Sequence, residues 1–381
     1  MRVLFTYSAV GVGGDAIQTL ALVAALRAGG HQVELVGPNP VRPYDFVSPM
    51  FGVPNFAYHF IPRPFLEFVI EFCLQFVTLY RARALIRTQK FDLVFHRGHI
   101  YDLVGVPIAQ MARCPLVVLL DAPHGEEWDM IGKSYNRRLN HFAMERLTRQ
   151  ATLITTISQF SREYFLGLGV PPEKVLVQPN GVSHAQLQRG LIASREFSPF
   201  RSQDTAVVGF VGNFTPWHRV DLLLDAIKRL QLRGSVHFKA VIVGNGSTLR
   251  ECRSLAERLE LNPYVNWVGE VPHAEAFRRI EEFDVAILPN TLCTGSPLKL
   301  LEYAALARPI MAPDLPNIRD IFEHGKDIWL FEPGNPTALA DGLETLRLQP
   351  EFARELGRNA LEKMRNHTWE ENVSRILEAL S

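Results

Sequence analysis

Short apolar runs rich in β-branched residues alternate with longer helical stretches along almost the whole chain. Each run has the length and composition of a buried parallel strand. The predicted strands are 2–7, 31–36, 92–95, 115–120, 152–156 and 175–177, then 207–211, 238–243, 265–268, 284–289, 309–311 and 328–331. Such alternation predicts parallel sheets with helices on both faces. The expected fold class is therefore α/β, with two doubly wound Rossmann-like domains that face each other across a ligand-binding cleft.

The strand-and-helix pattern lapses once, between about residues 183 and 204, where serine, glutamine, arginine and proline replace the apolar runs. Domain boundaries fall in polar segments of this kind. We therefore expect an N-terminal domain at 1–185, a linker at 186–204 and a C-terminal domain at 205–362. The last residues, 363–381, are expected to form a helix that returns to the N-terminal domain.

Composition bounds the class of protein. The 381 residues include 40 Lys+Arg and 40 Asp+Glu, and this balance disfavours a nucleic-acid partner, which requires a basic surface. The four cysteines are scattered, without a C-x-x-C pair or a zinc-like spacing, which indicates a reduced compartment. The chain enters its first strand directly, without the basic-then-apolar layout of a secretory signal. We therefore predict a cytoplasmic protein.

Residues 65–90 combine a strongly apolar first part with a basic end. Glu67 and Glu71 interrupt the apolar part, so it falls short of the ~20 apolar residues of a spanning helix. Together with Gln75 and Thr78 they share one helical face and leave a wide apolar face. Two interpretations stay open. The segment is either a core helix with a basic end, or an interfacial helix on anionic lipid at the inner face of the membrane.

A predicted helix start near residue 296 combines the features of an anion site. It follows the buried strand at 284–289, and Ser296 suits the N-cap while Pro297 suits the first helical position. Lys299 lies in the first turn, where it opposes the helix dipole unless an anion such as phosphate binds there. Glu302 follows on the same face and could accept hydrogen bonds from a sugar's paired hydroxyls. The alternative is a capped surface helix with an incidental Lys–Glu pair.

The glycine loop at 11–16 matches the dinucleotide fingerprint G-x-G-x-x-G/A, and Glu34 lies near the position of a ribose-binding acid. An NAD-dependent oxidoreductase is therefore an open alternative. It is weakened because three residues separate the first strand from the first glycine, and because the second half is another nucleotide-type unit. Gly13 and Gly14 could instead allow close backbone approach to a phosphate or sugar at the next helix. A tight turn without a ligand is the third interpretation.

Several short motifs follow one another in both halves. They are the glycine loop with 30–33, then 156–158, 174–182, 210–219, 242–246, 267–269 and 296–303. In this order and spacing the chain resembles glycosyltransferase family 4, in the branch with a Ser-Pro-x-Lys-Leu-x-Glu-Tyr motif. The resemblance covers nearly the whole length. It implies the GT-B fold and a retaining enzyme that moves a sugar from a nucleotide diphosphate sugar to a hydroxyl acceptor.

The resemblance also implies roles for individual positions of this chain. Glu302 would hold the nucleotide ribose, and Lys299 would add positive charge beside the phosphates. The other donor-binding residues would approach the diphosphate, the sugar or the base: Gly13, Gly14, Asn213, His218, Arg219, Gly269, Val271, Gly295, Ser296, Pro297 and Leu298. The resemblance implies no metal and no cofactor beyond the nucleotide diphosphate sugar as co-substrate.

Three positions depart from the family pattern. Asn213 and His218 stand where most members carry the arginine and lysine that clamp the diphosphate. Positive charge would then come from Arg219, Lys299 or protonated His218. Thr294 stands in place of the glutamate that usually touches the donor sugar, so the sugar stays open. A non-catalytic sugar-nucleotide-binding protein is therefore an alternative to the transferase, and a sugar-nucleotide epimerase on the same scaffold is a more distant one.

Two loops of the first half are expected at the carboxyl ends of neighbouring strands, where such sheets bind ligands. His96 and Arg97 are predicted to bind the acceptor, which would be a carbohydrate, lipid-linked or small molecule. His124 matches the family's active-site histidine, and with Asp121 it is the predicted catalytic pair that orients donor and acceptor. No general base is nominated, because the departing phosphate itself takes the acceptor's proton in the usual proposal. For His96, Arg97 and His124 the alternative is a structural loop residue with satisfied hydrogen bonds.

Overall fold

Two parallel six-stranded sheets form the framework of the protein, seen in a computed structural model. The structure describes residues 1–7, 14–37, 63–121, 135–200, 205–234 and 237–381. The chain divides into two units, the first made of Met1–Pro179 with Trp369–Ser381 and the second of Asn180–Thr368. Each unit contains one of the sheets with helices packed against it, which confirms the predicted α/β fold class.

All neighbouring strands within each sheet are parallel. The strands are β1 (Arg2–Tyr7), β2 (Gln32–Val36), β3 (Leu93–Arg97), β4 (Leu116–Leu119), β5 (Leu153–Thr156), β6 (Val175–Val177), β7 (Thr205–Val211), β8 (His237–Val243), β9 (Val265–Gly269), β10 (Val285–Ile287), β11 (Ile310–Pro313) and β12 (Trp329–Phe331). Their order is β2-β1-β3-β4-β5-β6 in the first unit and β12-β11-β10-β7-β8-β9 in the second. Strands β3, β4 and β10 are buried along their whole length, as a sheet covered on both faces requires.

The helices connect successive strands in the way that parallel sheets demand. In chain order they are α1 (Gly14–Ala28), α2 (Arg63–Thr88), α3 (Gly105–Ala112), α4 (Arg137–Gln150), α5 (Gln159–Gly167), α6 (His184–Glu196), α7 (Val220–Leu232), α8 (Leu249–Arg258), α9 (His273–Ile280), α10 (Leu298–Ala305), α11 (Pro316–Arg319), α12 (Pro336–Leu348), α13 (Pro350–Met364) and α14 (Trp369–Glu378). This numbering covers the helices within the described ranges.

The last helix, α14, belongs to the first unit and packs against α1. Its Asn372 donates a hydrogen bond from Nδ2 to the carbonyl of Pro179 at 2.8 Å and accepts one from the amide of Gln178. The chain therefore returns to the first unit at Trp369 rather than at 363, since α13 still packs within the second unit.

Most of the predicted linker at 186–204 is helical. Helix α6 begins with a capping box, in which Ser183 Oγ accepts from the Gln186 N–H at 3.2 Å and Gln186 Oε1 accepts from the Ser183 N–H at 2.6 Å. Leu187 and Gly190 face inward, and α6 packs on α10 and α13 within the second unit. The polar side chains that suggested a linker belong to the outer face of this helix.

We expect Gly190→Ala to destabilise the second unit by about 1–3 kcal/mol, the usual cost of overpacking. A Cβ at residue 190 would lie 1.6 Å from the carbonyl oxygen of Ala305, so α6 and α10 would have to separate. Gly167→Ala is the matched control, because nothing lies within 4 Å of a Cβ at the end of α5. Urea unfolding of both variants tests this, and equal free energies of unfolding would contradict it.

Helix α2 carries the segment considered for membrane contact. Gln75 and Thr78 are buried, and the Gln75 side chain donates to the Tyr101 carbonyl at 3.1 Å. The side chains of Phe76 and Tyr80 are 45% and 77% exposed. The burial of Gln75 and Thr78 reverses the amphipathic pattern inferred from the sequence, because backbone carbonyls accept hydrogen bonds from both polar side chains inside the unit. Among the described helices, none is long and apolar enough to cross a bilayer.

Candidate active site

Helix α10 follows β10 through a loop in which two backbone carbonyls accept hydrogen bonds from asparagine side chains. Asn180 Nδ2 donates to the carbonyl of Ser296 at 2.7 Å, and the Asn180 N–H donates to Ser296 Oγ at 3.2 Å. Asn317 Nδ2 donates to the carbonyl of Gly295 at 2.6 Å. These bonds fix the path of the loop into the helix, where the first N–H groups lack intrahelical acceptors.

The N-cap of α10 is Pro297, not Ser296 as predicted, and the helix begins at Leu298. Pro297 makes no side-chain cap. The Ser296 hydroxyl oxygen instead accepts a hydrogen bond from the Asn180 N–H. Thr294, earlier in the same loop, is completely buried.

Lys299 lies in the first turn of α10 and is partly buried. Its Nζ contacts His218 Nε2 at 2.8 Å and lies 5.1 Å from the centre of the Phe210 ring. Gly212 leaves room for this side chain. Gly212 has a φ of +153°, and a Cβ there would come within 2.8 Å of Lys299 Nζ. Burial lowers the pKa of Lys299 to about 7, although the charge of Glu302 acts in the opposite direction.

His218 is held by its own loop. Its Nδ1 lies 2.6 Å from the carbonyl of Asn213 and 2.9 Å from Thr215 Oγ1. Burial, together with the neighbouring charge of Lys299, lowers the pKa of His218 to about 3. The imidazole is therefore neutral at physiological pH. Its Nδ1–H donates to the Asn213 carbonyl, and its Nε2 accepts from Lys299. The lowered pKa therefore disfavours protonated His218, one of the three predicted sources of positive charge, at physiological pH.

Glu302, one turn into α10, has a partner that the sequence did not reveal. Its Oε1 lies 2.7 Å from Nε2 of His273, the first residue of α9. The hydrogen bond to Glu302 raises the pKa of His273. Position 273 follows the predicted donor-binding residue Val271 by two residues, and this spacing is the signal that could have identified it.

Tyr303 joins the start of α10 to the carboxyl end of β7. Its hydroxyl accepts from the Val211 N–H at 2.9 Å, and burial raises its pKa. Because Gly212 is the next residue, this bond places the glycine and Lys299 side by side. The start of α10 and the carboxyl end of β7 are therefore joined by this hydrogen bond.

The remaining predicted donor residues occupy separate parts of the second unit. Arg219 is exposed, and its guanidinium pairs with the Asp221 carboxylate at 2.8 Å, so its charge is already partly compensated. Gly269 ends β9 with a φ of +84°, and its carbonyl accepts from the Gly244 N–H at 2.8 Å. Val271 packs at the edge of the core.

In the first unit, His96 and Arg97 are the last two residues of β3 rather than loop residues. His96 is fully buried, with Nε2 2.5 Å from Asp102 Oδ2 and Nδ1 2.7 Å from Thr6 Oγ1. Both ring nitrogens of His96 therefore have partners inside the unit, which favours the structural alternative over the predicted acceptor-binding role. Burial raises the pKa of Asp102, but the His96 charge and hydrogen bonds outweigh it and leave this pKa lowered.

Arg97 and Asp121 meet at the carboxyl edge of the first sheet. The Arg97 guanidinium donates to Asp121 Oδ2 and to Gln18 Oε1, and Gln18 Nε2 donates to Asp121 Oδ1 at 3.1 Å. The Arg97 side chain is almost completely buried. Asp121 is thereby held as an ion-paired carboxylate.

Three further predictions depend on residues of the first unit. Gly14 is the first residue of α1. Gly13 and His124 lie outside the described residues. Glu34 is exposed in the middle of β2, not at its carboxyl end, and this position does not favour a ribose-binding role. Among the described residues, no three His, Cys, Asp or Glu side chains cluster as metal ligands.

The two units correspond to two protein-family domains. Residues 12–186 match the family model described as Glycosyltransferase Family 4, and residues 205–348 match the model described as Glycosyl transferases group 1. The fold agrees with that of GT-B proteins. HepE of Anabaena superposes with a TM-score of 0.72 at 19% identity, over 100% of this chain and 99% of that chain. Sucrose-phosphate synthase of Thermosynechococcus elongatus gives 0.70 at 17% identity, over 100% of both chains. The chain therefore belongs to the glycosyltransferases with the GT-B fold.

Sequence relatives carry the same class name. The glycosyltransferase MJ1607 of Methanocaldococcus jannaschii is 23% identical over 87% of this chain and 85% of its own length. WcaL of Salmonella typhimurium, a glycosyltransferase assigned to colanic acid biosynthesis, is 25% identical over 64% of this chain. That match spans 60% of the length of WcaL.

Proposed function

We propose that the protein transfers a hexose from a nucleotide diphosphate sugar to a hydroxyl acceptor, with retention of anomeric configuration and without a metal ion. The observation that carries this proposal is the start of α10. There, Lys299 lies beside the first N–H groups of a helix, and Glu302 lies one turn deeper. A cation and helix N–H groups together stabilise the charge of a diphosphate, and a carboxylate can accept from both ribose hydroxyls.

The chemistry assigned to these groups is electrostatic. The bond between the sugar's anomeric carbon and the leaving phosphate oxygen breaks, and the acceptor oxygen bonds to the same face of that carbon. The acceptor's proton passes to the leaving diphosphate. Lys299 and the helix start stabilise the negative charge that develops there, which is the main contribution expected of such a site. Asp121, fixed by Arg97 and Gln18, is proposed to orient the substrates.

The first test is a thermal-stability screen with UDP, GDP, ADP, dTDP and NAD. HepE has been solved with UDP and with UDP-glucose, so UDP is the first ligand to test. A ligand at a hundred times its dissociation constant adds about 2.7 kcal/mol of stability. We expect one nucleoside diphosphate to stabilise the protein. Stabilisation by NAD alone would favour the oxidoreductase instead.

Glu302→Ala is expected to weaken binding of that nucleoside diphosphate about 10- to 100-fold, since hydrogen bonds to a charged group contribute about 1.5–3 kcal/mol. Glu282→Ala is the matched control, because Glu282 pairs with Arg279 on the surface of the same unit. Isothermal titration calorimetry measures both affinities. Equal affinities for the two variants would contradict the ribose-binding role of Glu302.

Further assays separate the alternatives. Transfer to an acceptor, with an α-linked product from an α-linked donor by NMR, would support a retaining transferase. Donor binding with neither transfer nor slow hydrolysis would support the non-catalytic alternative, and acceptor-free isomerisation of the sugar would support the epimerase.

Transferase activity is expected to persist in EDTA. A loss of activity that magnesium or manganese restores would contradict metal independence.

We also propose that α2 contacts anionic lipid, which would place a cytoplasmic enzyme at the inner face of the membrane, beside a lipid-linked acceptor. The specific support is the exposed series of Phe76, Tyr80, Arg83 and Arg87, which repeats at helical spacing. Aromatic rings and basic side chains on one face suit the interface of an anionic bilayer.

Reversing two charges on α2, Arg83→Glu with Arg87→Glu, should reduce binding to phosphatidylglycerol vesicles by about tenfold or more, at ~1 kcal/mol per basic residue. The same reversal at Arg250 and Arg258, two exposed arginines of the second unit, is the control. Vesicle co-sedimentation provides the measurement. Unchanged sedimentation of the α2 variant would argue against membrane contact.

A further inference from the structure

Lys299, at the start of α10, carries a positive charge only when its amine is protonated. Lys299 Nζ contacts the neutral nitrogen of His218 and the face of Phe210. In the part of the chain that the structure describes, no carboxylate oxygen comes within ion-pair distance of this ammonium group. A partly buried amine without a counter-ion favours its uncharged form. The empty site is therefore a poor environment for the charge that a diphosphate needs.

His218 cannot take over the charge of this lysine. Its Nδ1 is committed to the Asn213 carbonyl, so its Nε2 presents a lone pair to Lys299. Protonating Nε2 would place two cations 2.8 Å apart. His218 therefore acts as a hydrogen-bond acceptor that holds the amine at the helix start. It does not act as a second clamp on the phosphates.

Among the described residues, the other charged or titratable groups around Lys299 already have partners. Glu302, on the same helix, draws the pKa of Lys299 upward but is bonded to His273 from α9. Arg219, after the β7 loop, pairs with Asp221. The Tyr303 hydroxyl is bonded to the end of β7. An incoming diphosphate would thus be the strongest negative charge to face the amine.

We propose that donor binding is coupled to protonation of Lys299, which takes a proton from solvent as the diphosphate arrives, with neutral His218 as its positioning residue. This inference rests on the proposed function of the site. The anion stabilises the ammonium form, so the pKa of Lys299 rises from about 7 in the empty site. By linkage, the affinity for diphosphate then falls about tenfold per pH unit above that value, until the pH reaches the pKa of the complex.

Calorimetry in buffers of different ionisation enthalpy measures the protons taken up. The probe is the nucleoside diphosphate selected by the thermal screen, titrated at pH 8. Its terminal phosphate, with a pKa near 6, is fully ionised there and releases almost no proton. We expect an uptake of about 0.5–0.9 proton per site, from an amine with a pKa of about 7. Binding without proton uptake would overturn the inference while leaving the proposed function intact. No binding of any diphosphate would contradict both.

One substitution and its control assign the proton. Lys299→Arg keeps a charge that does not titrate, so it should still bind diphosphate but with an uptake near zero and an affinity independent of pH between 7 and 9. Lys326→Arg, an exposed control in the same unit, should behave as the wild type. Unchanged uptake in Lys299→Arg would assign the proton elsewhere and overturn the inference.

The positioning role of His218 has its own test. His218→Gln offers an amide oxygen to Lys299 and should keep the pH profile of binding. His218→Leu offers no acceptor and should lower the affinity about tenfold, the cost of one lost hydrogen bond to a charged group. Thermal unfolding of the empty variants confirms folding. Equal affinities and pH profiles for the glutamine and leucine variants would refute the positioning role.

Discussion

Replacing Lys299 with methionine is expected to weaken binding of the nucleoside diphosphate by about 100-fold or more. Removing one partner of a desolvated charge pair costs about 2–5 kcal/mol in binding. Neither His218 nor Arg219 can compensate, because His218 is neutral and Arg219 is paired with Asp221. Titration calorimetry at pH 7 measures the loss. Lys326→Met, which removes an exposed lysine from the same unit, should bind as the wild type does. An affinity within threefold of the wild type would contradict the role of Lys299.

Lys299→Met should not unfold the protein. The protonation of Lys299 predicts whether the substitution raises or lowers the free energy of unfolding at a given pH. The pKa of Lys299 is lowered from 10.5 in the unfolded chain to about 7 in the folded one. The burial of Lys299 therefore destabilises the folded protein, and this destabilisation has its full size below about pH 7. It disappears as the pH rises from about 7 towards 10.5. Without ligand, Lys299→Met should be more stable than the wild type at pH 6.5, with a difference that shrinks by pH 10. Urea unfolding at both pH values is the measurement. A difference that grows with pH would contradict the lowered pKa.

The second large effect is expected in the first unit, where Arg97→Met should reduce the free energy of unfolding by about 3–5 kcal/mol. Removing one partner of a buried ion pair leaves the other charge uncompensated. Arg97 is almost completely buried, and its loss would leave Asp121 Oδ2 and Gln18 Oε1 without this donor. Urea unfolding followed by circular dichroism measures the change.

A control substitution and a double variant test whether the loss of stability comes from the unpaired charge. Arg162→Met removes a half-buried arginine whose partner, Glu163, lies 3.4 Å away, and should cost less than about 1 kcal/mol. Combining Arg97→Met with Asp121→Asn removes the stranded charge and should recover part of the lost stability. A loss below 1 kcal/mol in Arg97→Met, or no recovery in the double variant, would contradict the ion-pair explanation.

Features that depend on residues close together in the sequence could be predicted, whereas contacts between distant segments could not. The strand positions and the α/β class are confirmed, because buried parallel strands have continuous apolar runs that are local in sequence. The sequence predicts a linker at 186–204 because helix α6 has a largely polar outer face, and a polar composition resembles a domain boundary. The sequence predicts His96 in a loop, whereas the strand continues two residues beyond its last apolar side chain, Phe95.

The site shows the same division. Lys299 and Glu302 could be singled out because their spacing on one helix is a local property, and local spacing predicts which side chains share a face. The partners of these two residues come from distant segments. His218 lies 81 residues before Lys299, and His273 lies 29 residues before Glu302.

The two sheets, the glycosyltransferase resemblance and the candidate residues of the helix start could all be predicted from the sequence. The chemical state of those residues depends on the folded structure. It made His218 a neutral acceptor, gave Lys299 a pKa of about 7 and turned Arg97 and Asp121 into a buried pair. The physical reason is that protonation depends on burial and on charges brought close by folding. Residue identity fixes only the unperturbed pKa, whereas the neighbours that shift it are chosen by the fold.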